Sequence, residues 1–143
     1  MDKYDALKLE NQLCFPLYAA SREVVKLYYP YLSKLDITYT QYIALMVLWK
    51  EKTIGVKELG KKLFLDSGTL TPLLKSLESK GFIERNRSKD DERNVIVTIT
   101  DDGLALRDKA LEVPAHIGPC INLDPAEAME LYRTLYKILD AFK

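Results

Sequence analysis

Residues 63–103 read LFLDSGTLTPLLKSLESKGFIERNRSKDDERNVIVTITDDG. The hydrophobic period changes inside this stretch, and that change decides the architecture. Asp66 or Ser67 caps a helix that runs TLTPLLKSLESK to Gly81, with leucines at helical spacing. From Phe82 the period drops to two. FIERNRS and NVIVTIT alternate apolar and polar residues, and KDDER between them is a polar turn, which predicts a β-hairpin. Thr100, followed by Asp101-Asp102-Gly103, caps a further helix predicted to run to about residue 117.

Upstream, TIGVKELGKKLF predicts a helix over 56–64, and Leu65-Asp66 is the short turn joining it to a helix over 67–80. Two helices on a tight turn followed by a hairpin make a winged helix-turn-helix. The second helix opens with Ser67, Gly68, Thr69, Thr71 and Pro72, small or hydroxyl-bearing residues that let a helix end approach base edges and phosphates. Lys75 follows one turn on, within reach of a phosphate or a guanine edge. The hairpin contributes Arg85, Arg87, Lys89 and Arg93. Its tip also carries Asp90, Asp91 and Glu92, which is odd against phosphate unless one acid, Asp91, braces Arg93 for the minor groove. A charged turn alone is usually a solvated face. With the helix pair directly upstream, double-stranded DNA is the favoured partner.

The flanks are helical. Leu7, Leu13, Leu17, Val24, Val25 and Leu32 recur at helical intervals through 5–34, with Pro16 predicting a kink or restart near Cys14. Tyr39-Thr40-Gln41 opens a helix whose YIALMVLWK run is apolar nearly all round and therefore buried. Asp124-Pro125-Ala126-Glu127 is an N-cap, a first-position proline and a third-position acid, and it opens a last helix bearing Met129, Leu131, Leu135, Ile138, Leu139 and Phe142. The expected fold is α+β, mostly α, and the 143 residues form a single domain. Residues 37–100 are the winged region, and 5–36 and 101–143 are dimerisation helices, since a second copy in a C2 dimer would cover their apolar faces.

Composition is ordinary for a globular chain: 48% apolar, 29% charged and no net charge. Neutrality does not exclude a nucleic-acid partner, because local patches outweigh the sum. No apolar run is long enough to span a bilayer and no signal peptide is evident, so the expected location is cytoplasmic, with no membrane partner. There a standing disulfide between the two cysteines is not expected. His116 and Cys120 are four apart, but Gly118 and Pro119 lie between them and no second pair completes a metal site, so no metal or other cofactor is expected.

LFLDSGTLTPLLKSLESKGFIERNRSKDDERNVIVTITDDG resembles the winged helix-turn-helix of MarR-type regulators, with the D-x-R-x-V wing pattern as Asp91, Arg93 and Val95, then T-x-x-G. LENQLCFPLYAASRE and DITYTQYIALMVLW resemble the OhrR-like branch, sensors of organic hydroperoxides. The resemblance implies a homodimeric repressor on a palindromic operator. It implies that Cys14 is the sensing thiol, at the dimer interface, held by partner tyrosines that correspond to Tyr28 and Tyr39. Within one straight helix Cys14 and Tyr28 would be about 21 Å apart, so they could meet only between two antiparallel copies. Tyr18, one turn from Cys14, is a further phenol donor for a thiolate. The same resemblance implies that oxidised Cys14 releases the operator. Cys120 suits a resolving thiol and equally a bystander. Two other readings stay open: control by a small aromatic ligand with Cys14 incidental, and a thiol peroxidase using both cysteines. No catalytic triad, phosphate loop or carboxylate pair stands out, and a non-enzyme is expected.

Overall fold

The computed structural model describes residues 2–143. Its elements are α1 (Cys14–Leu32), α2 (Tyr39–Glu51), β1 (Thr53–Gly55), α3 (Val56–Leu63), α4 (Ser67–Ser79), β2 (Ile83–Arg87), β3 (Val95–Ile99), α5 (Asp101–Ala110), α6 (Val113–Ile117) and α7 (Pro125–Leu139), with short 3-10 turns between several of them. The chain is mostly helical around one small antiparallel sheet of order β1-β3-β2.

The core explains why the middle of the chain holds together. Leu45 and Leu48 of α2, Leu59 of α3, Leu70, Leu74 and Leu77 of α4, and Ile83 and Val97 of the sheet all lie within one buried cluster. The hairpin register sets Arg85 opposite Val97 and Arg87 opposite Val95. Ile54 of β1 pairs with Val97 from the other side, so β3 is the central strand. β1 was not expected from the sequence. It is three residues long, and its partner lies more than forty residues away.

Two flanking expectations are corrected. The single helical run over 5–34 is instead two 3-10 turns at Asp5–Leu7 and Leu9–Asn11, then α1 from Cys14. The restart falls at Cys14 because Pro16 occupies the first turn, where no backbone donor is needed. Pro30, deeper in α1, is the proline that removes an internal donor. The helix expected over 101–117 breaks at Leu111 and Glu112 into α5 and α6, with Pro114 in the first turn of α6. The last helix opens as read, with Asp124 and Glu127 forming a reciprocal capping box. At α2 the cap is Thr38, one residue before the expected opening, in a second reciprocal box with Gln41. The α2 run is less uniformly buried than its composition suggests, since Met46 is 46% exposed.

α7 buries none of its residues. Met129, Leu131, Tyr132, Tyr136 and Ile138 stand exposed along it, as do Leu13, Phe15, Leu17 and Tyr18 at the start of α1. Among the described residues no helix is long and apolar enough to cross a membrane.

Candidate DNA-reading surface and thiol site

The helix expected to read DNA, α4, is set by its cap. The Asp66 carboxylate accepts from the Thr69 amide at 2.9 Å, closing the first turn of α4 and leaving Ser67, Gly68 and Thr69 exposed. A Cβ on Gly68 would meet only the Asp66 carboxylate, at 3.7 Å, so nothing inside the fold demands glycine there. Pro72 has no N–H to return to the Gly68 carbonyl, which leaves that oxygen outside the helical ladder. Lys75 is exposed on the same helix, and Thr71 is half-buried.

The Thr69 hydrogen bonds hold the Asp66 carboxyl below the ordinary aspartate range. A depressed folded value means stability that is present above the unfolded value and lost as pH falls through the folded one. Asp66→Asn is therefore expected to flatten the acid limb of the stability curve, since an asparagine still caps but does not titrate. Denaturation midpoints of both proteins from neutral to acid pH check this, and parallel curves would refute it.

On the wing, Asp91 Oδ1 accepts from the Arg93 backbone N at 3.0 Å and from its Nε at 3.3 Å. Arg93 itself is almost fully exposed, 91% by side chain. Arg87 is pinned differently: its guanidinium donates to the Glu92 carbonyl at 2.8 Å. Lys89 is exposed at the tip. Arg85 behaves unlike the other three. Its Nη2 and Nε reach Glu78 Oε1 at 3.0 and 3.3 Å, and its amide donates to Glu78 Oε2, so this arginine ties β2 to α4. The same contacts hold the Glu78 carboxyl below its usual range. The wing arginines thus divide into an exposed pair and one committed within the fold.

Cys14 is exposed and is the first residue of α1, the end of a helix that favours negative charge. Among the described residues its thiol makes no hydrogen bond within its own chain. Tyr18 is also exposed, with the Arg22 guanidinium 5.4 Å from its ring centre. Tyr28 and Tyr39 meet with ring centres 4.8 Å apart. Tyr42, which the sequence reading did not single out, completes the group at 5.7 Å from Tyr28 and 6.3 Å from Tyr39. Burial, then the neighbouring phenol, raises all three phenols above the ordinary tyrosine value, so each remains a protonated donor at neutral pH. Cys120 is exposed on a 3-10 turn, its thiol donating to the His116 carbonyl at 3.4 Å, while the His116 ring stacks on Tyr31 with centres 4.6 Å apart. Among the described residues no cluster of three or more metal-ligating side chains occurs.

A cleft of about 1000 Å³ opens between α3, the start of α4 and the end of the chain. Leu70, Phe64, Tyr136 and Phe142 line it, with Lys57 and Lys61 beside them.

A helix pair with a tightly capped second helix, a braced basic wing and a mostly helical frame define a winged helix-turn-helix transcriptional regulator. The family model for the transcriptional regulator SarA/Rot matches residues 26–109. The chain is 49% identical over 139 residues to the organic hydroperoxide resistance transcriptional regulator of Bacillus subtilis, covering 97% of this chain and 95% of the other. Reduced AbfR bound to DNA superposes with a TM-score of 0.80 at 35% identity over 99% of both chains. AbfR is a Staphylococcus epidermidis protein, and its disulfide-formed structure gives 0.65 at 37% identity over 96% of each chain. Mutant MarR of E. coli with operator DNA gives 0.82 at 30% identity, covering 97% of this chain and 99% of that one. This chain belongs to the MarR-type family of winged helix-turn-helix transcriptional regulators, in the branch that includes the organic hydroperoxide resistance regulator.

Proposed function

We propose that this regulator is a homodimeric repressor that leaves a palindromic operator when Cys14 is oxidised by an organic hydroperoxide. The observation that carries the reading is the exposed Cys14 at the start of α1, on an apolar face that its own chain leaves uncovered. A second copy laid antiparallel on that face would bring the phenols of its Tyr28 and Tyr39 toward the thiol. The Cys14 thiolate attacks the terminal oxygen of the hydroperoxide, the O–O bond breaks, and the alkoxide takes a proton and leaves as the alcohol. Sulfur gains one oxygen as a sulfenic acid. The sulfenic acid displaces the phenol contacts, the dimer helices shift, and the two α4 helices lose the one-turn spacing that successive major grooves require. On the DNA side, Ser67, Gly68, Thr69, Thr71, Pro72 and Lys75 face the major groove. Arg87, Lys89 and Arg93 reach from the wing, with Asp91 bracing Arg93 and Arg85 acting through Glu78 to fix the hairpin on α4.

The test compares wild type with Cys14→Ser on the DNA duplex that the reduced protein selects from random sequence. One equivalent of cumene hydroperoxide is expected to release the wild type with a gain of one oxygen in intact mass, and to leave Cys14→Ser bound and unmodified. Peroxide release of Cys14→Ser at the wild-type dose would sink the proposal. A covalent dimer on a non-reducing gel would assign Cys120 the resolving role: its thiol condenses with the sulfenic acid and water leaves. A monomer would make Cys120 a bystander.

The lysine-flanked apolar cleft favours a second reading, control by a small aromatic acid. That ligand would raise thermal stability with no change in mass. A thiol peroxidase has no comparable support.

A further inference from the structure

Lys80 stands at the C-terminal cap of α4, yet its ammonium leaves that helix and crosses to the junction between α1 and α2. There it donates to the Asp36 carbonyl and to Gln41 Oε1 at 3.4 Å, with Asp36 Oδ1 3.9 Å away. Asp36 is the reversal point of the chain. Its backbone is left-handed, φ 59°, and the Ile37 amide next to it closes back on the Leu32 carbonyl. Gln41 is the buried polar side chain of the core, 4% exposed, and the same Oε1 accepts from the Thr38 amide that opens α2.

The location matters. Tyr28 lies on α1, and Tyr39 and Tyr42 lie in the first turn of α2 on either side of Gln41. The two helices that carry the phenol cluster meet at Asp36, and one cation of the reading helix holds that joint. The leucines of α4 also touch α2, but apolar contacts are non-directional and tolerate small slips. The Lys80 ammonium, in contact with oxygens of both Asp36 and Gln41, anchors the end of α4 to that joint at a single point by charge-assisted hydrogen bonds.

We propose that Lys80 is a positioning residue that couples the phenol cluster to the reading helix, so that displacement of Tyr28 and Tyr39 moves α4. The inference rests on the thiol-sensor reading and names the part that transmits its signal. Without the ammonium, Cys14 still reacts but α4 is no longer pulled out of register.

The experiment measures affinity for the selected duplex, reduced and after one equivalent of cumene hydroperoxide, for wild type, Lys80→Met and Lys80→Arg. Intact mass is taken on the same samples. The expected result is that Lys80→Met keeps reduced affinity within about threefold and gains one oxygen as the wild type does. Its oxidised-to-reduced affinity gap shrinks by about tenfold or more, on the scale of ordinary coupling between sites. Lys80→Arg, which keeps a cation on a similar stem, restores the gap. An unchanged gap in Lys80→Met overturns the proposal, and so does an equal loss of affinity in both redox states, which is what a merely structural lysine predicts. If the methionine variant fails to fold, Lys80→Gln carries the same comparison. A wild type that stays bound with Cys14 oxidised overturns the sensor reading itself, and the relay with it.

Discussion

Gly103→Ala is expected to lower unfolding free energy by about 3 kcal/mol, at the upper end of what overpacking a tight site costs. A Cβ at position 103 would lie 2.2 Å from the Phe82 carbonyl oxygen and 2.7 Å from Ile99 Cγ1. The first of these is backbone and cannot rotate away. Phe82 is also fixed, because its carbonyl accepts from the Thr100 amide, so relief would require moving the start of the wing. The same residue holds α2 and α5 together: the Trp49 indole N–H donates to the Gly103 carbonyl at 2.9 Å. The Thr100 hydroxyl caps the Gly103 amide at 3.1 Å and donates to the Gly81 carbonyl. The T-x-x-G of the sequence is therefore a three-way joint between α2, the wing and α5. Urea unfolding followed by the fluorescence of Trp49 is expected to show a lower midpoint with an unchanged slope. Gly118→Ala serves as the control, since a Cβ there meets open space. A Gly103→Ala midpoint equal to that control would refute the account.

The winged middle was legible in the sequence because its signals are local. Asp66 before Ser67-Gly68-Thr69, the switch to period two at Phe82, and the charged turn each declare an element within a few residues. What was not legible depends on pairing across distance. β1 exists only because β3 offers it an edge. Arg85 looks like any wing cation until Glu78, seven residues earlier and on a different element, is seen to hold it. Tyr42 lay in a run apolar on every side, where periodicity selects no face, and only its distances to Tyr28 and Tyr39 set it apart. The same limit hid Lys80, whose partners are 39 and 44 residues back. The start of α1 was partly legible: Pro16 predicts a restart, but the apolar spacing before it looks helical where the chain forms 3-10 turns.

Leu131→Asp with Ile138→Asp is expected to convert the proposed homodimer into folded monomers and to weaken DNA binding by about a hundredfold or more. The two residues are seven apart on α7, two turns along one face, and they are 46% and 42% exposed in the single chain. A charge placed there costs the monomer little, because the side chain already meets water. At an interface it is buried without a partner, which is severe. The core that holds α4 draws on α1, α2, α3, the sheet, α5 and α6 as well as α4 itself, and α7 contributes no buried residue to it. Loss of the dimer therefore need not unfold the winged region, and circular dichroism is expected to stay near wild type. On the proposed dimer, DNA affinity is expected to fall because two linked half-site contacts become one, and the advantage of holding the second close to its groove disappears. Sedimentation velocity and binding to the selected duplex read the two effects separately. A doubly substituted protein that sediments as a dimer would show that the α7 face is not the dimer contact. A monomer that binds DNA as tightly as the wild type would show that pairing is not what sets its affinity.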